Sequence, residues 1–563
     1  MTANDPARAP RQAWPTWPSP GIPTSPDDWR QATPRARSLV GSASVVALAF
    51  VLSRVLGMAR EIILAYRFGT SSELAAYVAA FRVPDLLFLV LISGAFGSAF
   101  IPVFAGLLGR DREEDAWRLA SVVLNYSALA LVTFGAFAFV FARPLVRFLV
   151  APGYAPADQE LTVDLMRLLL LSPLFLGLGI AAKGILEAQD KFTLPALAPV
   201  VYNAAIILGA LFLVPAFGVR GVAIGVVAGA LGHVLVQVPG LLAAGLRYRL
   251  TLDRRVPGLA DVARLLGPRL VGQAAFQINF IAVTAFATRD GPAEVAAFNY
   301  AWQLLMLPHG VVALSISTVV FPTMSRLFDR GDTAGLRSTF GRAMRPLLFL
   351  SLPAAVGLFF FRESIVQTIF QWGAFGQGST ALVVPALAWF AAGLVAYAAA
   401  EVLTRAFYAM HDTRTPVVVG VATILLNVAL AAALVGRFGY VVLAFGLSLT
   451  TALEAIVLLA ILRRRLGGGA GDARWIAKAT AATAAMAVVA AVVAPILADA
   501  TEPGIAPRVV QIALFAYGLG LTGATYAVAA YLLRIPEATE TLAKLGARLP
   551  RTPGLPFRGR AAR

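Results

Sequence analysis

Apolar residues gather in long uninterrupted runs, near 38 to 66, 74 to 108, 117 to 142, 160 to 188, 194 to 216, 219 to 246 and 265 to 288. Seven more lie near 293 to 325, 340 to 361, 380 to 408, 416 to 436, 439 to 462, 475 to 498 and 509 to 533. Each is long enough to cross about 30 Å of hydrocarbon, which takes roughly 20 helical residues. The runs are continuous rather than alternating, so they predict membrane helices and not barrel strands, whose lipid-facing and lumen-facing positions alternate. The pattern therefore predicts an all-α polytopic membrane protein with fourteen transmembrane helices. Residues 1–37, rich in Pro, Ser and Arg and without the apolar core of a signal peptide, read as a disordered tail. A basic tail is expected at 535–563.

The polar segments between the runs carry the orientation. One alternate set of loops holds 23 Lys and Arg, from Arg110 through Lys478, and the other holds 8, from Arg67 through Arg508. The positive-inside rule places the richer set, and with it both termini, in the cytoplasm. The same pattern also repeats. The stretch from Glu73 to Tyr77, leading to Phe81 and Arg82, recurs from Glu294 to Phe298, leading to Trp302 and Gln303. Pro102 is echoed by Pro322 and Asp190 by Asp412, always at a spacing of 220 to 222 residues. That spacing covers six spans, an even number, so two parallel lobes are expected, 38–249 and 250–463, around a central cavity. Residues 464–534 then hold two appended helices.

Composition supports a lipid environment: 59% of residues are hydrophobic, 14% are charged and the mean hydropathy is +0.76. The net charge of +17 sits mostly in loops, where it meets headgroups, so nucleic acid is not implied. With no cysteine and three scattered histidines, His233, His309 and His411, neither a metal site nor a disulfide is expected. No P-loop and no extended soluble domain is present, which argues against ATP-driven transport and against a hydrolase. No cofactor is expected.

Charge inside the apolar runs is where chemistry is sought. An ionised residue at bilayer depth costs at least about 2.5 to 3.5 kcal/mol, so it faces protein or a wet cavity. Arg54 and Arg60 lie in span 1 near Glu61, and Arg54 and Glu61 nearly share a face, making an internal pair an option. Span 2 adds Arg82 and Asp85 around Pro84, which is expected to break the helical ladder. The equivalent of Arg82 in the second copy is Gln303. Span 7 offers Gln273, Gln277 and Asn279, either as ligands or as glue between helices. Glu401 and Arg405 read first as a structural pair, and Glu454 is the lone acid of its helix. Cavity arginines suit a phosphate or pyrophosphate, whose oxygens match a guanidinium fork.

The strings SRVLGMARE at 53–61, FRVPDLL at 81–87 and GAFGSAFIPVF at 94–104 resemble the MurJ (MviN) family of lipid II flippases. NYAWQLLMLPHGV from 299, FQWGAF at 370–375 and FYAMHDTRTPV from 407 extend the likeness over nearly the whole membrane part. The resemblance implies the fold of the multidrug/oligosaccharidyl-lipid/polysaccharide exporters, with a polyprenyl-tail groove in the last two helices. It also implies that Arg54, Arg60 and Arg82 meet pyrophosphate, and a place in the bacterial cytoplasmic membrane. At several positions the chain departs from the family pattern. Phe88 and Leu89 replace basic residues, Ala75 replaces an acid, and Trp302, Gln303 and Met306 replace a charged set. The span 7 acid of sodium-binding relatives is absent.

The leading expectation is alternating-access transfer of lipid II from the inner to the outer leaflet. Arg54, Arg60, Arg82, Asp85, Gln277, Asn279 and Gln303 are the substrate-binding candidates, and membrane lipids and cell wall synthesis proteins are expected partners. The alternatives are a flippase for another polyprenyl-pyrophosphate glycan, a cation-coupled drug exporter using Asp85, Glu401 or Glu454, and a membrane scaffold acting through its basic tails.

Overall fold

The computed structural model describes residues 34–90, 100–468, 473–500 and 507–540, apart from the side chains of 34–44, 265–269 and 271. No strand occurs among them. In hydrocarbon no water is at hand for backbone N–H and C=O groups, and only a helix satisfies them within its own segment. The first half consists of α1 (Pro34–Phe68), α2 (Ser72–Ala80), α3 (Arg82–Phe88), α4 (Ile101–Leu108), α5 (Glu113–Val140), α6 (Pro156–Glu187), α7 (Thr193–Phe217) and α8 (Val219–Ala243). The second half consists of α9 (Leu259–Ala287), α10 (Pro292–Asp329), α11 (Thr333–Phe360), α12 (Arg362–Phe370), α13 (Gln377–Ala409), α14 (Arg414–Phe438) and α15 (Val441–Arg465). Two more helices follow, α16 (Ala473–Ala500) and α17 (Arg508–Leu532).

Eleven helices among the described residues are long and apolar enough to cross a membrane. Helices also occur in the other three apolar runs, as α1, as α2 to α4, and as α9, but these are not among the eleven. The chain is a multi-pass membrane protein. α1 begins at Pro34, before the expected tail boundary at 37, since proline is well tolerated in a first helical turn. Residues 536–540 are helical as well, and the remainder of both expected tails lies outside the described residues.

Within the first half α7 packs on α8 and α1, α8 on α6, and α2 on α6. Within the second, α10 and α15 both pack on α13, and α14 lies on α15 and α9. The halves meet where α2 touches α10 and α3 touches α9, while α16 and α17 pair with each other and rest on α11. The backbone repeats along with the sequence. Residues with φ in the left-handed region pair up as Gly69 and Gly291, Asp111 and Gly331, Asp190 and His411, and Gly218 and Gly439, 220 to 222 residues apart. Gly218 (φ 57°, ψ −145°) and Gly439 (φ 69°, ψ −174°) each turn the chain from one helix into the next, in a region open essentially to glycine.

Candidate binding site

The interruption between α2 and α3 builds the site. Pro84 supplies no N–H and its ring excludes the carbonyl four residues back, so the ladder is released there and the chain bends at Phe81. The break falls three residues before the proline, which then sits in the first turn of α3. It aims Arg82 and Asp85 into a cavity of about 230 Å³ that also takes Arg60 and Glu61 from α1, Tyr77 from α2, Tyr202 from α7, and Asn299, Tyr300 and Gln303 from α10. Residues from both halves therefore line one space.

The arginines differ in how their charge is met. Arg60 is spent internally: Nη2 and Nε donate to Glu61 Oε1 at 2.7 and 3.2 Å, and Nη1 donates to Asn203 Oδ1 at 3.2 Å. Asn203 is fixed in turn by its Nδ2 donating to the Pro199 carbonyl at 3.0 Å. Glu61 thus pairs with its chain neighbour and not with Arg54, and Arg60 carries the link on to α7 through Asn203. Arg82 is held by uncharged groups, with Nε donating to Thr284 Oγ1 at 2.8 Å and the guanidinium 5.4 Å from the centre of the Phe280 ring. It forms no ion pair with Asp85. Arg54 is exposed, lies 5.3 Å from the centre of the Phe50 ring, and approaches Gly310 so closely that a Cβ there would sit 3.3 Å from Nη1. Arg82 therefore lacks a close ion pair, although the Asp85 carboxylate acts on it through space, and Arg54 has none among the described residues.

A second cavity of about 600 Å³ lies in the second half, lined by Gln273, Asn279, Glu401, Thr451 and Glu454 among others. Phe280 and Trp302, 5.0 Å apart between ring centres, stand between the two spaces: each lines the larger, and Phe280 also backs Arg82. Asn279 accepts from Asn427 Nδ2 at 2.9 Å. Glu401 is paired with Arg405 at 2.7 Å, as expected, whereas Glu454 has no ion pair among the described residues. The structure therefore divides the candidates. Arg60, Arg82, Asp85 and Gln303 share the smaller cavity, Asn279 belongs to the larger, and Arg54 stands apart against α10. Gln277 lines neither and is buried. The cavity-lining residues of α9, from Gly272 to Phe280, sweep an arc of about 160° at roughly 100° per residue, and Gln277 falls just outside it. Tyr202, Asn203 and Thr284 were not singled out from the sequence. A lone Asn or Thr in an apolar run is a weak signal there, since nothing local says which helix it will face.

The halves also touch at one end of the bundle. Ala374 N donates to the Tyr66 carbonyl at 2.9 Å, Tyr300 Oη to the Gly69 carbonyl at 3.2 Å, and Gly153 N to Thr288 Oγ1 at 3.1 Å. Thr70 Oγ1 and Ser379 Oγ are 2.9 Å apart. A Cβ at Gly69 would come within 2.5 Å of the Ala374 carbonyl oxygen, so the absence of a side chain permits this approach.

The sequence profile described as "Lipid II flippase MurJ" matches residues 64–512. The chain belongs to the lipid II flippase MurJ family. The MurJ protein of Burkholderia cenocepacia, described as a lipid II flippase, is 30% identical over 74% of this chain and 82% of its own. Among solved structures, a lipid II flippase MurJ in an inward closed conformation matches with a TM-score of 0.70 at 22% identity, covering 85% of this chain and 98% of that one. An inward-facing multidrug resistance MATE family transporter of the MOP superfamily matches at 0.63 and 18% identity, over 74% and 94% of the two chains. At those identities the likeness is one of fold. MurJ is a family of transporters rather than of enzymes, and no metal-holding group of His, Cys, Asp or Glu occurs among the described residues.

Proposed function

We propose that this chain moves lipid II, the undecaprenyl-pyrophosphate-linked peptidoglycan precursor, from the inner to the outer leaflet of the bacterial cytoplasmic membrane by alternating access. The carrying observation is Arg82, a guanidinium held by Thr284 and Phe280 and not locked in a close ion pair, in a cavity lined by both halves that it shares with Asp85. A buried guanidinium whose fork no carboxylate closes keeps donors for an anion, and a pyrophosphate fits that fork. Arg54 supplies the second positive charge and Asp85 and Gln303 bound the space, while Arg60 positions Glu61 and Asn203 in this conformation.

In this reading fourteen helices cross the membrane, 38–249 and 250–463 are parallel lobes, 464–534 offers the groove for the lipid tail, and both termini are cytoplasmic. The contacts at Gly69, Gly153, Thr288 and Ala374 lie among the arginine-poor loops. They would then seal the outer side while substrate enters from the cytoplasm, and the lobes rock about them.

A bacterium depleted of its own lipid II flippase and supplied with this chain tests the proposal. Growth should be restored by the parent and lost with Arg54→Ala or Arg82→Ala expressed at parental level. Restoration by both variants would sink the pyrophosphate role. The cation-coupled exporter reading rests on Glu454, the unpaired acid of the larger cavity. It predicts dye resistance that falls with Glu454→Gln, whereas the flippase reading predicts growth unaffected by that change.

A further inference from the structure

A third cavity, of about 580 Å³, opens between the start of α11, the end of α15 and the start of α16, away from both spaces described above. Arg337, Arg342 and Arg345 of α11 and Arg463 of α15 line it, and no Asp or Glu does among the described residues. Arg337 Nη1 donates to the Gly468 carbonyl and Arg342 Nη2 to Thr339 Oγ1, both at 3.2 Å, so each guanidinium is oriented by a neutral partner. Beyond the arginines the wall turns apolar, with Leu348, Leu459, Trp475 and Ile476. Trp475 is itself fixed, its Nε1 donating to Glu537 at 2.8 Å. All three helices have their termini at this end of the bundle. From Arg337 to Leu348 α11 rises about 16 Å, close to half of a hydrocarbon core roughly 30 Å thick. Basic heads at a membrane edge above an apolar wall one leaflet deep match a lipid with a negatively charged headgroup.

We propose that this cavity binds an anionic diacyl phospholipid, its phosphate among Arg337, Arg342, Arg345 and Arg463 and its chains along Leu348, Leu459 and Ile476. Basic pockets between membrane helices collect anionic headgroups, because guanidinium groups pair with phosphate oxygens in low dielectric. The occupant joins α16, which rests on α11, to the end of α15, and so fastens the last two helices to the second half. Occupancy therefore stabilises the folded protein.

The test is a thermal melt of the full-length protein in neutral detergent with phosphatidylglycerol, phosphatidylethanolamine, undecaprenyl phosphate or inorganic phosphate added separately. Phosphatidylglycerol should raise Tm more than any of the other three at equal phosphate concentration. Arg337→Gln/Arg342→Gln should lose most of that shift, while Arg247→Gln/Arg254→Gln, which removes two charges elsewhere, should keep it. An equal shift in both double variants would overturn the site. So would an equal shift with inorganic phosphate, which would make it a soluble-anion site, or a shift with undecaprenyl phosphate alone.

Discussion

Arg60 and Arg82 lie in the same cavity, yet their surroundings predict different consequences of losing them. Arg60 offsets Glu61, which is 8% exposed, so Arg60→Met leaves a buried carboxylate without a partner. It should cost on the order of 3 kcal/mol of stability, much of which Arg60→Met/Glu61→Leu should recover. Thermal unfolding of the purified variants checks this, and equal destabilisation by both would show that the pair is not the cause. Arg82→Ala removes a cation that acts on Asp85 through space but breaks no close ion pair, so the fold should persist while transport fails. The arginines were legible in the sequence because charge in an apolar run is costly wherever it stands. Their partners were not: Asn203 and Thr284 come from helices more than a hundred residues away, and no local period announces which faces will meet. The pairing of Arg54 with Glu61 is not the one taken, since Arg60, beside Glu61 in the same helix, takes the carboxylate and is itself fixed by Asn203.

At the scale of elements, two features of the loops carry predictions. Thr70, before α2, and Ser379, in α13, bring their hydroxyls to 2.9 Å across the two halves, and the chain has no cysteine. Thr70→Cys/Ser379→Cys is therefore expected to cross-link when oxidised and to stop transport until reduced, if that end must open. Cross-linked protein that still transports would contradict a moving seal there. Between α13 and α14, Asp412 accepts from the Thr415 backbone and hydroxyl and pairs with Arg465 at 2.6 Å. Partial burial pushes its carboxyl upward, but these hydrogen bonds and the arginine outweigh it and hold the group below the usual aspartate range. The stabilisation is present above about pH 4, the ordinary value, and is lost as pH falls through the lowered one. Asp412→Asn should flatten that acid-side loss in a melt measured against pH. The corner at Asp412, echoed at Asp190, was visible in the sequence. Its role as an anchor for α15 was not, because Arg465 belongs to another helix. Pro84 likewise announced a break, whose position at Phe81 followed from which carbonyl the ring excludes.

For the whole molecule, the repeat was the most legible feature, since duplication leaves anchors at one spacing, and the left-handed corners keep that spacing in the backbone. Membership in the MurJ family followed from strings spread over the membrane part, and the matched profile spans 64–512. The division into two unequal cavities was hidden, because Phe280 and Trp302 form the wall only once α9 and α10 are packed. The central claim is transfer of lipid II held by arginines that no close ion pair occupies. Its most direct measurement is the fraction of lipid II reached by an externally added lipid II-cleaving toxin in cells depleted of their native flippase and expressing this chain. The account predicts restored cleavage with the parent and with Glu454→Gln, and none with Arg82→Ala inserted at the same level. No cleavage with a correctly inserted parent, or undiminished cleavage with Arg82→Ala, would contradict it.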